Sequence, residues 1–301
     1  MLLGVTCAGL AGLMWAANGT ILSRIARRGI DPVSFLAIAG IGNAVAAWAF
    51  VPNFGAIHAG DLTRTGELAI LMMIAGASVG VGALAMQGAF RRGHHGATWS
   101  INQSALVSPF LIGLLLWGDK TTLLGLGGAG AIVACLVCLG AVQGEGEHAN
   151  NASHRKWLGF ALLAFALTSI ELVLKAVPSQ WAGWEDLGRI RAPLSLTGGM
   201  ILFQFIAMAM RRYTRQLPWK EIAISVALIV PSQVLIFKAL DIFERHEVGG
   251  LTWPTAIATC IVAFALYSVF ILKEKMTALR GVGIAMGVIG IVLVFVAMEL
   301  G

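Results

Sequence analysis

The sequence predicts an all-α integral membrane protein of ten transmembrane helices, arranged as two five-helix repeats of opposite orientation. Three observations predict it. Hydrophobic residues make up 58% of the 301-residue chain and charged residues only 12%, with a mean hydropathy of +0.83. A soluble domain carries about 25% charge, whereas a surface facing lipid is apolar. Apolar stretches of bilayer-crossing length, about 20 residues each, then follow one another along the whole chain. Finally, motifs of the first half return in the same order in the second.

The predicted helices are 3–23, 33–52, 67–90, 97–117 and 122–142, then 157–177, 192–210, 220–242, 249–272 and 278–299. Helix 1 runs into Ser23-Arg24 with no basic segment before it and no small-residue cleavage site. It reads as a retained helix rather than a signal peptide. Basic clusters separate the runs alternately: Arg24, Arg27 and Arg28 after helix 1, Arg91 and Arg92 after helix 3, Arg155 and Lys156 before helix 6. Arg211, Arg212, Arg215 and Lys220 follow helix 7, and Lys273, Lys275 and Arg280 flank the last connection. The one long polar connection, Gln143–Lys156 (QGEGEHANNASHRK), falls at mid-chain and has the composition of a linker. The expected organisation is a first repeat at 1–142, a linker at 143–156 and a second repeat at 157–301.

The repeat rests on matched positions. Gly96-Ala97-Thr98-Trp99 opens helix 4 and Gly250-Leu251-Thr252-Trp253 opens helix 9, an offset of 154. Asp119-Lys120-Thr121-Thr122 precedes helix 5 and Glu274-Lys275-Met276-Thr277 precedes helix 10, an offset of 155, which also relates Leu3-Gly4 to Leu158-Gly159. Five helices are an odd number, so the second copy enters the membrane inverted. Inverted repeats recur in transporters, with the solute site at the midplane between the halves. The loops joining helices 1–2, 3–4, 5–6, 7–8 and 9–10 hold 14 basic residues against 5 on the other side, namely Arg64, Lys120, Arg189, Arg191 and Arg245. The positive-inside rule then places both termini outside. The net charge of +6 orients helices and is no nucleic-acid signal.

Ten helices, two five-helix repeats and an acidic-Lys-x-Thr hairpin before the last helix of each repeat resemble the drug/metabolite transporter superfamily, in its EamA-like branch. The stretch from His94-His95-Gly96 through Asn102 to Asp119-Lys120 is also similar to that branch's aromatic amino-acid exporters. The resemblance implies a cavity lined by helices 3, 4, 8 and 9 with help from 1, 2, 6 and 7, and peripheral helices 5 and 10. It also implies cytoplasmic termini, where the charge count says the reverse; we follow the count. The small multidrug members carry an essential Glu in the first helix of the unit. Glu171 in helix 6 sits about two turns too late to take that role by position.

A charge at bilayer depth costs about 2.5–3.5 kcal/mol or more, which makes such residues functional candidates. Helix 6 carries Glu171 and Lys175 at i and i+4, with Thr168 on the same face; helix 8 carries Lys238 and Asp241. The positions matching Glu171 and Lys175 in helix 1 are Ala16 and Thr20, so this charge is confined to one repeat. The alternative is a self-neutralising pair, or a lysine snorkelling to the interface. Uncharged candidates for the lining are Trp15 and Asn18 in helix 1, Gln87 in helix 3, Trp99, Asn102 and Gln103 in helix 4, Gln204 in helix 7, and Trp253, Thr255 and Thr259 in helix 9. Each also reads as an interhelical hydrogen-bond partner. Pro109, Pro231 and Pro254 each free a backbone carbonyl inside an expected helix.

Cys135 and Cys138 form a CxxC spacing within an apolar run that lacks other ligand types, which reads as packing rather than metal or redox chemistry. No P-loop, nucleophile elbow or metal-ligand cluster is visible, so neither ATP-driven transport by this chain alone nor catalysis is expected, and no cofactor. The expected function is a secondary carrier in the inner membrane that exports a small metabolite, an amino acid or related amphipathic solute, with a proton or other coupling ion as a partner. The alternatives are an uptake carrier for a sugar-like or organic-anion solute and, in another class, a lipid-handling membrane protein or enzyme. The Gly-rich helices 5 and 10, with Gly283 and Gly287 four apart, leave homodimerisation and packing within the chain both open.

Overall fold

A computed structural model describes the chain except for residues 51–61, 93–94, 120–121, 142–150, 182–188, 212–216, 271–276 and 301. The described residues contain helices and no strand. They form α1 (Leu2–Arg27), α2 (Pro32–Phe50), α3 (Leu62–Phe90), an interrupted α4, α5 (Leu123–Ala141), α6 (Asn151–Ala176), α7 (Arg191–Ala209), α8 (Trp219–Glu244), α9 (Thr252–Phe270) and α10 (Ala278–Leu300). Eight of them, α1–α4 and α6–α9, are long and apolar enough to cross a membrane. The chain is therefore a multi-pass membrane protein. Leu10, Val45, Ile70, Leu115, Phe205 and Val292 among others stand exposed on the outside of the bundle, where lipid rather than water would meet them.

Close packing of α1 follows from its composition. Gly4, Ala8, Ala11, Gly12, Ala16 and Gly19 are all buried, and a stripe of small residues lets helix backbones approach without a hydrophobic driving force. A β-carbon at Gly12 would overlap the Ala256 carbonyl oxygen of α9. Gly76 of α3 sits equally close to the Ser195 carbonyl of α7. Contacts come in matched sets: α1 packs along α8 and α9, α6 packs along α3 and α4, α2 packs on α7, and α5 packs on α10. In that last pair Gly128, Gly287 and Gly290 are used within the chain, against Val294, Cys135 and Ile132. All four cysteines are free thiols.

Helix α4 is broken where its sequence says it should be. It runs as α helix over His95–Gln103, tightens to a 3-10 turn at Ser104–Leu106, resumes at Val107–Ile112 and widens to a π turn at Gly113–Trp117. Pro109 has no N–H to offer one turn back, which loosens the ladder at that level. Gly118 closes the helix in the left-handed conformation, φ +72°, a cap that glycine adopts without strain. Pro231 lies inside α8. Pro254, by contrast, falls in the first turn of α9, where no backbone bond is lost, so the expectation that it frees a carbonyl is corrected.

Two other expectations are corrected. Helix α6 begins at Asn151, so the last six residues of the stretch read as linker are helical, because polar residues at an interfacial helix end do not stop a helix. Arg191, counted among the solvent-facing loop cations, is the first residue of α7 and is fully buried. The hairpins carrying Lys120 and Glu274-Lys275, the His94 position and most of the linker lie outside the described residues.

Candidate functional site

Where the helices of the two halves meet, they leave a central cavity of about 220 Å³. It is walled by α1, α2, α3, α4, α6, α7 and α8, with Ile257 of α9 behind. Its charged lining residues are Glu171 and Lys175, one helical turn apart on α6, and both are buried, 6% and 2% exposed. They form an ion pair with each other. The Lys175 ammonium also donates to Oε1 of Gln233 at 2.8 Å and stands 5.9 Å from the ring centre of Phe237. A buried pair keeps its charges only where further hydrogen bonds and polarisable neighbours replace lost water, and Gln233 and Phe237 supply them.

The remaining lining is neutral. Thr168 Oγ1 donates to Asn102 Oδ1 at 2.9 Å, one turn before Glu171. Ser225 Oγ donates to Asn18 Oδ1 at 2.8 Å. Trp15 donates through Nε1 to Ser232 Oγ at 3.1 Å and stacks on Trp253 with ring centres 6.4 Å apart. Trp99 stacks on Phe264 at 5.3 Å, and Gln103 donates to Cys260 Sγ at 3.1 Å. Oδ1 of Asn43 is buried in the lining without a hydrogen-bond partner among the described residues. Such an acceptor is costly unless a solute or water completes it.

Eight residues singled out from sequence meet in this cavity: Trp15, Asn18, Trp99, Asn102, Gln103, Thr168, Glu171 and Lys175. The others do not line it. Gln87 donates to the Leu22 carbonyl, Gln204 to the Ala37 carbonyl, Thr255 to Leu251 and Thr259 to Thr255. Each is spent on backbone, as polar side chains in an apolar bundle usually are. Trp253 lies one layer back, behind Trp15. Lys238 is exposed on the outer surface of α8. Three residues fall short of a full turn, so Asp241 reaches inward while Lys238 extends outward. Sequence reasoning missed Asn43, Ser195, Ser225 and Gln233 as lining. For Gln233 the available signal was an amide two residues after the mid-helix Pro231.

The cavity ends differently in its two directions. Beyond Leu22, Met86 and Trp99 lies an apolar cluster that includes Ile25, Phe35, Phe90 and Ile222. Beyond Lys175 lies a charged cluster. Arg191 Nη1 binds Asp241 Oδ1 at 2.7 Å. Its Nη2 donates to the Lys175 carbonyl at 2.6 Å and to Ser179 Oγ at 3.0 Å, and its guanidinium lies 4.5 Å from the centre of the Phe237 ring. Gln180 donates to Glu244 Oε1 at 2.7 Å. Asp119, just past α4, accepts the Gly250 N–H at 2.6 Å where α9 begins, which ties a loop of the first half to a helix start of the second. Burial raises the Asp119 carboxyl above its ordinary value, and the bond from Gly250 opposes that rise. Among the described residues no three His, Cys, Asp or Glu side chains are placed to hold a metal ion.

No protein-family model matches the chain, and no curated protein matches it. A solved crystal structure of a protein aligns with 99% of this chain and 98% of its own, with a TM-score of 0.65 and 17% identity. That likeness extends over the whole length and concerns the fold.

Proposed function

We propose that the chain is a secondary carrier of the drug/metabolite transporter superfamily, EamA-like branch. In this reading it has ten spans in two inverted five-helix repeats, and it moves a small amphipathic metabolite by alternating access. The observation that carries it is the buried Glu171–Lys175 pair in the wall of a central cavity between the two halves. A structural pair has no need of a cavity beside it, and a scaffold has no need of an unpartnered acceptor such as Asn43 in that wall. The matched packing supports the repeat: exchanging α1 for α6, α2 for α7, α3 for α8 and α4 for α9 turns the α1–α8 contact into α6–α3, α1–α9 into α6–α4 and α3–α7 into α8–α2, and returns α2–α7 to itself.

The charged lining named above sums to zero, the other polar groups are amide, hydroxyl and indole, and the rest is aliphatic or aromatic, such as Leu22, Met86 and Phe203. Such a wall favours a net-neutral solute over a free anion or cation. A zwitterion, an amino acid or a close relative, fits best: its ammonium competes with Lys175 for Glu171, and its carboxylate competes with Glu171 for Lys175. Glu171 is also the lining group able to exchange a coupling proton. The direction we propose is export across the inner membrane, with both termini outside. The neutral amides favour a second reading, a sugar-like solute taken up through the same cavity. Purified protein in liposomes, offered labelled amino acids, sugars and organic anions in turn, decides between them. The expected result is saturable flux of a zwitterion; flux confined to a sugar would select the second reading, and no flux of any solute would end the carrier reading.

A further inference from the structure

We propose that Arg191 and Asp241 form a one-sided gate, so that the charged end of the cavity is the end that opens and closes while the protein is empty, the apolar end opening only in the loaded cycle. The inference rests on the carrier reading above and goes beyond it by assigning the moving end and its residues.

Four observations carry it. Arg191 is fully buried although it is the first residue of α7, whereas the carboxylate it binds is 22% exposed. The pair therefore straddles the boundary between protein and water, and release needs only that Asp241 take its hydration back. Second, the pair spans two elements, α7 and α8, that pack along other helices far more than along each other. Third, the same guanidinium grips the Lys175 carbonyl, so the gate is bonded to the backbone of the residue whose ammonium reaches the cavity. Phe237 lies against both cations, so neither can leave without exposing that ring. Fourth, the offsets that relate the two halves pair Arg191 with Leu36, Asp241 with Gln87 and Glu244 with Phe90. Arg191, Asp241 and Glu244 thus each have a neutral or apolar counterpart at the other end, while Asp119 alone is matched by an acid, Glu274.

The physical asymmetry follows. An apolar plug separates only by exposing surface to water, with no compensating contact. A buried ion pair is often no more stable than apolar residues of the same size, because desolvation offsets its attraction. Opening restores hydration to both ions, so the two states lie close in free energy. That is the condition for a population that a solute can shift.

The test reads side-specific access and requires no solute. Ser195 lines the cavity one turn from Arg191. With the four native cysteines replaced by alanine, Ser195→Cys is labelled in sealed vesicles of each orientation by a membrane-impermeant maleimide. Asp241→Asn leaves the buried guanidinium short of its counter-ion, and labelling from the charged end rises about tenfold. Arg191→Met with Asp241→Leu exchanges the latch for an apolar plug, and labelling from that end falls by about the same factor. Labelling from the opposite face stays low throughout. Should Asp241→Asn fail to fold, the double variant still decides. Unchanged labelling in the double variant, or labelling from the opposite face alone, overturns the gate. Absence of flux of any solute in the parent, with labelling still responsive, would instead strike the carrier reading and leave the gate standing.

Discussion

At one end of the cavity Ile25, Phe35, Phe90 and Ile222 pack into an apolar cluster, roofed by exposed pairs such as Arg28 with Glu221. At the other, Arg191, Asp241, Gln180, Glu244 and Asp119 hold the ends of five helices with ion pairs and hydrogen bonds. Both ends are compact, yet they respond to different changes. The apolar cluster is stabilised by transfer and packing, is insensitive to charge, and loses stability in proportion to the volume removed. The charged cluster depends on completeness: remove one partner and the other is stranded, remove both and little is lost. Either end alone has the make-up of a structural contact. The contrast between them is what assigns motion to one.

The largest effect is expected at the charged end. Asp241→Leu leaves Arg191 buried without its carboxylate and lowers stability by about 3–5 kcal/mol, whereas Arg191→Met with Asp241→Leu recovers most of that loss. Thermal unfolding in detergent measures both. Equal losses in the single and double variants would show that Arg191 acts by packing and not by charge. At the apolar end Phe90→Ala, at a side chain 2% exposed, costs about 3 kcal/mol through the cavity it leaves. No second substitution at a charged position should rescue it. Outside that end, Arg28→Ala removes an exposed pair with Glu221 and costs less than about 1 kcal/mol, less again in high salt. A larger loss there would blur the distinction between the two ends.

The smallest effect concerns pH. The Asp119 carboxyl is raised above its ordinary value of 3.8, chiefly by burial, and the Glu244 carboxylate, also near Asp241 and Arg191, repels it. A raised folded value means the folded chain holds this proton more tightly than the unfolded chain. Its contribution to stability is fully present below the ordinary value and is lost as pH rises through the folded one. Asp119→Asn keeps an oxygen for the Gly250 N–H and removes the titration. The variant's Tm should therefore fall less than the parent's between about pH 4 and about pH 7. Parallel curves would place the Asp119 charge in free contact with water.

Much of this was legible in the sequence, and the reasons are physical. Bilayer thickness sets a length that apolar runs display directly, so each expected helix coincides with an observed one to within a few residues. Helices α3 and α6 are the exceptions at their starts, because residues 62–66 and Asn151–Lys156 extend past the apolar runs and polar composition does not distinguish a solvated helix end from a loop. The Glu171–Lys175 pair was legible because i and i+4 share a face. Arg191 was not: an arginine at the edge of an apolar run looks the same whether it marks topology or is drawn inward by a carboxylate fifty residues away. Lys238 failed in the opposite sense, since depth along a helix can be read from sequence but the face it occupies is fixed by the neighbouring helices.

The Glu171–Lys175 pair is proposed as a solute site, against an intrahelical ion pair of purely structural use. Flux through purified protein in liposomes separates the two, comparing the parent with Glu171→Gln and with Glu171→Gln plus Lys175→Met. The single change keeps shape and removes charge, so transport should be lost while insertion and folding persist. The double change removes the stranded lysine charge and with it the structural penalty. If the pair serves the solute, the double variant is as inactive as the single one. If the double variant transports at the parent's rate, the pair is structural and the site lies elsewhere.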